Sequence, residues 1–139
     1  MNELALFAGA GGGGTSRKMN KISICLPLPP RELHPNARTH RMAKAKATKQ
    51  YRSTAYWLAL SASANLKPRW KSATVKMTWY FANTRSRDKD NLLAWMKAGL
   101  DGIADAGIIA NDSGFTHLPA EILFDKANPR VVVEIEKGE

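Results

Sequence analysis

The sequence holds few of the residues that build disulfide frameworks, zinc clusters or membrane spans. Its only cysteine is Cys25, which excludes an intrachain disulfide and a cysteine zinc cluster. The three histidines do not show the spacing of zinc ligands. No run of about eighteen apolar residues occurs, so no transmembrane helix is expected. No basic segment followed by a long apolar one opens the chain, so no secretory signal is expected either. These absences favour a protein of a reducing cytoplasm.

Acidic residues are also scarce. The chain carries 21 Lys and Arg against 12 Asp and Glu, a formal net charge of +9. An excess of this size favours a polyanionic partner, either nucleic acid or an anionic membrane. Between residues 31 and 71 the only acid is Glu32, and the bases are Arg31, Arg38, Arg41, Lys44, Lys46, Lys49, Arg52, Lys67, Arg69 and Lys71. Such segregation suits contacts to a phosphate backbone, although a solvated basic surface explains it as well.

The 139 residues suit one domain preceded by a tail. Residues 1–19 contain four consecutive glycines, Gly11 to Gly14, and are predicted to form a flexible Gly-rich tail. The segment L-F-A-G-A-G-G-G resembles the glycine motif of cytosine DNA methyltransferases. That motif needs a helix after it, whereas a new strand follows here. The compact domain is therefore predicted to span residues 20–139.

Apolar periodicity predicts a mixed fold. Residues 21–28 and 73–81 alternate apolar side chains with others, as strands with one buried face do. Helices are predicted from about residue 42 to 66 and over residues 90–106. Two late strands, over residues 121–125 and 130–136, would be joined as a hairpin by the K-A-N-P turn. The order predicts an α+β fold, with a small mixed sheet of about four strands and two main helices packed on it.

Two aspartates, Asp88 and Asp90, stand where the second helix should begin. A capping role would explain one of them, because aspartate at a helix N-terminus accepts backbone hydrogen bonds. At 3.6 residues per turn, Asp90, Lys97 and Asp101 share one stripe of the helix. Ordinary ion pairing on a solvated helix face would also explain that stripe.

A third acid follows the same helix. The chain leaves the helix at Gly107, and a turn near Asn111 can return Asp112 towards the pair at 88 and 90. Three carboxylates at one point repel each other unless a cation lies among them. Oxygen ligands of this kind suit a hard divalent cation such as Mg²⁺.

The stretch R-D-K-D-N-L-L-A-W-M-K-A-G-L-D-G-I-A-D-A-G-I-I-A-N-D resembles the RusA family of Holliday-junction resolvases. The family's hallmark is D-x-D-N-L, then a lysine, then D-x-L or D-G-I, a glycine and a final D-D. The strand end L-P-L-P-P and the terminal V-V-V-E-I strengthen the resemblance, which covers roughly residues 21–136. It implies a RusA-like fold, a homodimer, and action on branched DNA in bacterial or phage-infected cells.

The resemblance also implies site residues. The family's essential aspartates fall on Asp88, Asp90 and Asp112, as catalytic residues and metal ligands, and its catalytic lysine falls on Lys97. Two departures occur. The lysine lies seven residues past Asp90 instead of four, and the first acid of the final pair is replaced by Asn111.

The basic residues on the first helix, before it and beside the acidic pair are candidates for DNA contacts, which position a duplex without reading its sequence. These residues are Arg38, Arg41, Lys44, Lys46, Lys49, Arg52, Arg85 and Arg87. Four aromatic residues, Tyr51, Tyr56, Trp57 and Trp70, can stack on exposed bases. Aromatic residues on a helix more often belong to the core, so we leave these four out of the site.

The leading hypothesis is a Mg²⁺-dependent, structure-selective endodeoxyribonuclease, with Mn²⁺ as a possible substitute. It would resolve Holliday junctions by paired symmetric phosphodiester hydrolysis in recombination and repair. Bound metal would activate water, and Lys97 would stabilise the charge that develops on the phosphate. The alternative is a non-catalytic protein with the same fold that binds branched DNA.

Overall fold

The computed structural model describes residues 20–138, which form one mixed sheet and the helices that cover it. The strands are β1 (Lys21–Leu26), β2 (Ala73–Phe81), β3 (Phe115–His117), β4 (Glu121–Phe124) and β5 (Arg130–Lys137). The helices are α1 (Arg41–Ala62), α2 (Lys89–Trp95) and α3 (Lys97–Asp105), with short 3₁₀ turns at Arg31–Leu33 and Asp112–Gly114. The predicted Gly-rich tail, residues 1–19, lies outside the described residues. Within the described range, no helix is both long and apolar enough to cross a membrane.

Strand β2 occupies the centre of the sheet. On one side it pairs antiparallel with β5, and β1 pairs antiparallel with the outer side of β5. On its other side β2 pairs parallel with β3 near its start and with β4 near its end. The predicted α+β class with a mixed sheet is confirmed. The sheet has five strands because one edge is divided into two short pieces.

The predicted hairpin between the two late strands is wrong. Both strands exist, but β4 and β5 lie on opposite sides of β2 and do not pair with each other. The connection over residues 125–129 therefore passes the end of β2 instead of forming a turn within one strand pair. The alternation in β5 is correct, since Val131, Val133 and Ile135 are all fully buried.

One face of the sheet carries the core, and the helices cover it. In β1, Ile22, Ile24 and Leu26 are at most 2% exposed while the residues between them face solvent. Proline at positions 27, 29 and 30 ends the ladder, because proline has no N–H to donate. Helices α1 and α3 pack against each other above this face. This arrangement leaves the chain segments at the end of β2 and before α1 free to form a cleft.

The predicted helix over residues 90–106 is divided at Met96. The Met96 N–H is shared between the carbonyl oxygens of Leu92 and Leu93, at 3.0 and 3.2 Å, and its backbone leaves helical geometry with φ −88° and ψ −2°. The Met96 side chain is fully buried, and the hydroxyl of Tyr51 contacts its sulfur at 3.7 Å. The break separates α2, which begins at the acidic pair, from α3, which packs on α1.

Candidate nucleic-acid interface and acidic site

A wide cleft of about 1460 Å³ opens beside the start of α2. Its walls are the segment between β1 and α1 and the loop between β2 and α2. Four arginines line it, two from each wall, namely Arg31, Arg38, Arg85 and Arg87. Asp88 and Asn91 of the acidic segment line the same cleft. A strongly basic trough therefore meets the first acid of the motif.

Arg87 holds the loop between β2 and α2 in place. One guanidinium nitrogen donates to the carbonyl oxygens of Asn83 and Arg85, and the other donates to the Asn83 side chain at 2.8 Å. The guanidinium carbon also lies 3.7 Å from the centre of the Phe81 ring, a cation–π contact. Burial and the neighbouring Arg85 charge lower the pKa of Arg87 from its ordinary value. Arg87 thus both lines the cleft and shapes it.

The acidic pair begins α2, and the capping residue is Asp88, so the helix begins slightly earlier than the predicted start at residue 90. An Oδ of Asp88 accepts a hydrogen bond from the Asp90 N–H at 2.9 Å. Asp90 lies in the first turn of the helix, and both side chains are exposed. Capping therefore explains Asp88, and the exposed carboxylate of Asp90 has no structural partner among the described residues.

Trp95 closes the base of the cleft. Its indole N–H donates to the carbonyl oxygen of Pro30 at 2.8 Å, which ties the end of α2 to the segment after β1. The ring stacks on Trp79 of the core at 5.5 Å and meets His34 edge-on at 5.4 Å. These contacts join both walls of the cleft to the sheet. The sequence predicted neither Trp95 nor Arg31 as a site residue. Arg31 belongs to the basic run over residues 31–71, so its charge could have identified it. Trp95 could not be distinguished from the other apolar positions of its helix.

The third acid, Asp112, begins the short 3₁₀ turn after α3. The Asn111 side chain caps that turn by accepting from the Ser113 N–H at 3.0 Å, so Asn111 serves the backbone at this position. The Asp112 side chain is exposed. The pKa of Arg52 on α1 is raised chiefly by its hydrogen bonds to Asp105, and the charges of Asp101 and Asp112 add smaller contributions. Across residues 20–138, no three His, Cys, Asp or Glu side chains form a group that could hold a metal ion. The structure thus does not gather the three predicted ligands into one cluster.

Lys97 does not line the wide cleft. Its ammonium contacts the carboxylate of Asp101 at 3.7 Å, one helical turn along α3. Both residues border a smaller hollow of about 300 Å³ against Lys44 and Thr48 of α1. The predicted stripe of lysine and acid exists, and its lysine is largely exposed, at 74% of the side chain.

Within residues 20–138, the remaining candidate bases divide into exposed cations and a paired one. Arg41, Lys46 and Lys49 are exposed on α1. Arg52 instead donates two hydrogen bonds to Asp105 of α3, at 2.6 and 2.9 Å. This pairing lowers the pKa of Asp105 and raises that of Arg52. Arg52 therefore joins α1 to α3, and its guanidinium is already paired with a carboxylate.

Comparison with known proteins gives two matches. A family model described as Endodeoxyribonuclease RusA matches residues 27–136, which is most of the chain. An uncharacterized protein of Xylella fastidiosa (strain Temecula1 / ATCC 700964) is 38% identical over 92 residues. That match covers 60% of this chain and 56% of the relative, so the chain spans just over half of the relative's length.

Proposed function

The chain belongs to the RusA family of endodeoxyribonucleases, and from this premise we propose that it cuts branched DNA, chiefly four-way junctions. The observation that carries the proposal is the cleft, where four arginines adjoin the acidic start of α2. Arginine binds phosphate oxygens through paired N–H donors, which favours this trough as the path of a DNA strand. The proposed products are nicks with symmetric placement in the two opposed strands, as recombination and repair require.

Asp88, Asp90 and Asp112 are the proposed ligands of a divalent cation, Mg²⁺ with Mn²⁺ as substitute. The donor chemistry fits, because all three offer exposed carboxylate oxygens. The geometry of the described residues does not bring three such donors together, so we derive no step through the ion. When bound, such an ion supplies an activated water and neutralises charge on a phosphate.

The chain's own residues have roles that do not depend on that ion. Arg85 and Arg87 bind the phosphate backbone of the DNA strand beside Asp88 and Asp90. The carboxylates of the protein and the phosphates of the DNA are both negative there. Lys97 is proposed to stabilise the negative charge that develops on the phosphate. Its ammonium is largely exposed and, among residues 20–138, pairs with Asp101 alone, so it can turn towards a bound strand.

The test is a cleavage assay on a labelled four-way junction with Mg²⁺ and then with EDTA. Nicks that vanish with the chelator support a metal-dependent nuclease, while tight binding without nicks supports the alternative, a non-catalytic protein that binds branched DNA. Asp90→Asn should lower cleavage by at least about 100-fold, the scale of losing one group acting in the transition state. It should keep or strengthen binding, because it removes negative charge beside phosphate.

Glu136→Gln is the matched control, since it removes one exposed carboxylate from β5. It should cut at the wild-type rate. Cleavage by Asp90→Asn at that same rate would exclude the proposed acidic site. The proposed homodimer, whose two-fold symmetry would match the junction, is tested by light scattering. The expected mass is twice the 15.3 kDa of the chain.

A further inference from the structure

Trp57 is the one aromatic of the four on α1 and its exit that the fold leaves in water. Tyr51 and Trp70 are buried, at 5% and 6% exposure, and Tyr56 is half-buried against the core. Trp57 is 63% exposed near the C-terminal end of α1. The expectation that these aromatic residues belong to the core is therefore confirmed for Tyr51, Tyr56 and Trp70 and wrong for Trp57. Most of the indole surface is therefore not used in packing the core.

The solvent-facing side of α1 carries Trp57 together with cations. Helical spacing places Lys46, Lys49, Ser53 and Trp57 on one line, and all four are exposed; we name them the outer stripe. The opposite line, Ala47, Tyr51, Ala55 and Ala59, is the buried one. No acidic residue occurs anywhere in α1. The outer stripe therefore presents an aromatic face beside uncompensated positive charge, which is complementary to nucleic acid.

Tyr56 holds the indole in place. Its ring meets Trp57 edge-on, with centroids 5.0 Å apart and an interplanar angle of 83°. Because Tyr56 is itself packed against the core, the contact braces Trp57 on the helix. An aromatic platform that is already fixed loses little freedom when a base stacks on it.

The outer stripe lies on the helix that begins at the cleft. His40, which lines the cleft, precedes α1, and 17 residues of helical rise place Trp57 about 25 Å further along the axis. Duplex DNA rises 3.4 Å per base pair, so this is about seven base pairs from the cleft. We propose that the outer stripe binds DNA beyond the cleft and that Trp57 stacks on an unpaired base there, with Lys46 and Lys49 on the flanking phosphates. The proposal rests on the proposed function only in taking DNA as the substrate, and it adds a substrate class: DNA with unpaired nucleotides beside a duplex.

Fluorescence anisotropy tests the stacking with the full chain in EDTA, so that binding is measured without cleavage. The probes are a labelled blunt duplex, the same duplex with a ten-nucleotide single-stranded overhang, and a single-stranded thymidine oligonucleotide. Trp57→Ala should weaken binding to the overhang and the oligonucleotide between about 5-fold and 100-fold, the usual loss for one stacked base. Affinity for the blunt duplex should change less than about two-fold, because phosphate contacts carry it.

Two variants control the experiment. Trp57→Phe keeps an aromatic face and should retain most of the affinity for unpaired DNA. Leu66→Ala removes a comparably exposed apolar side chain, at 62%, from the loop after α1 and should have no effect. Thermal unfolding of each variant, followed by circular dichroism, should match the wild type, since an exposed side chain adds little to stability.

Three outcomes would overturn the stacking proposal. They are wild-type affinity of Trp57→Ala for both unpaired probes, an equal loss on the blunt duplex, or a changed oligomeric mass that makes Trp57 a contact between copies. Failure of the nuclease proposal is seen elsewhere, in tight binding of the junction by the wild type without nicks in Mg²⁺. A selective loss in Trp57→Ala would then still establish the stacking surface.

Discussion

At the scale of single residues, Arg87 shows how one side chain combines structure and binding. Its planar fork makes hydrogen bonds to residues 83 and 85 and stacks on Phe81. Lysine has neither the fork nor the planar face. We therefore expect Arg87→Lys, which keeps the charge, to weaken junction binding by about ten-fold, the loss of about 1.4 kcal/mol. The reason is that the loop between β2 and α2 no longer holds its shape.

Anisotropy measured on a junction in EDTA checks this expectation for Arg87. Arg85→Lys is the control, because Arg85 lines the same cleft but its side chain donates no hydrogen bond within the described residues. The two Lys variants should differ, with a smaller loss for Arg85→Lys, because only Arg87 also holds the loop. Equal affinities for both variants would mean that charge alone matters in this loop.

Tyr51 links three elements through its hydroxyl. The O–H donates to the carbonyl oxygen of Pro27 at 2.6 Å and contacts the Met96 sulfur. Burial raises the pKa of Tyr51 above its ordinary value, so the phenol stays protonated as a donor. Tyr51→Phe should lower the free energy of unfolding by about 1–2 kcal/mol, since the Pro27 carbonyl loses its donor.

Urea unfolding at neutral pH measures this change. Tyr56→Phe is the matched control, because the hydroxyl of Tyr56 makes no hydrogen bond among residues 20–138. It should stay within about 0.5 kcal/mol of wild type, as surface changes usually do. Equal destabilisation by both variants would contradict the role given to the Tyr51 hydroxyl.

The sequence predicts the exposure and the chemistry of single residues better than it predicts which residues they contact. The residues D-K-D-N, followed by a run that favours a helix, predict exposed acidic side chains at the start of that helix. The exact cap does not follow, because a shift of two residues between Asp88 and Asp90 leaves the pattern unchanged. Arg52 looks like any other base in the run from 31 to 71. Its pairing with Asp105, 53 residues later, depends on how two helices meet.

At the scale of elements, the contact between α1 and α3 depends on a glycine. A Cβ at Gly102 would overlap the carbonyl oxygen of Arg52 and lie 2.9 Å from the Ala55 Cβ. Backbone atoms cannot yield as side-chain ends can, so the two helices would have to separate. Gly102→Ala should destabilise the fold by about 1–3 kcal/mol, despite the better helix propensity of alanine.

Gly99→Ala is the graded control in the same helix. Its new Cβ would meet the flexible end of Met96 at 2.8 Å and the Tyr51 ring at 2.9 Å, which are side-chain atoms. We expect a smaller loss of stability than for Gly102→Ala in the same urea titration. A neutral or stabilising Gly102→Ala would show that the α1–α3 distance is not set by this contact.

The Arg52–Asp105 pair makes this helix contact sensitive to acid. The hydrogen bonds from Arg52 hold the pKa of Asp105 below its ordinary value of 3.8. A carboxylate with a lowered folded-state pKa adds stability above its unfolded pKa and loses that stability as pH falls through the folded one. Asp105→Asn should therefore be less stable than wild type at pH 7. The difference should shrink below pH 3.8.

Unfolding of both proteins in urea between pH 7 and pH 2.5 measures the difference. The effect should be small, since both side chains are more than 40% exposed and solvent screens the pair. A difference that stays constant over the whole range would assign the loss to packing instead of to the ion pair.

Local patterns predicted the elements, but not which elements are neighbours. Alternation at Ile22, Ile24 and Leu26 identifies β1 because one face must be buried. The K-A-N-P turn between β4 and β5 suggested a hairpin, yet β5 inserts between β1 and β2. The break at Met96 was also invisible, because the apolar period continues through it and only the packing of Tyr51 on Met96 distinguishes that position.

At the scale of the whole molecule, the basic region that the sequence predicts is also found together in the structure. The net charge of +9 comes largely from the run before and along α1, and the fold places that run beside the cleft and along its continuation. The cleft itself was not predictable, since its walls are 50 residues apart in the chain. The grouping of Asp112 with the first two acids, which depends on the same kind of long-range placement, stays a proposal.

The last prediction concerns salt, because a binding surface made of cations releases counterions from DNA. If every candidate base except the paired Arg52 contacts one phosphate, log affinity against log salt should fall with a slope of about −6. Measured by anisotropy on a junction in EDTA, affinity should drop by about a thousand-fold or more between 50 and 200 mM salt.

Lys46→Ala should flatten the slope by about 1, since it deletes one phosphate contact. Trp57→Ala should leave the slope unchanged, because stacking releases no counterion. A slope that is the same in Lys46→Ala as in the wild type would place α1 outside the DNA path, and a slope near zero would remove the electrostatic basis for the whole surface.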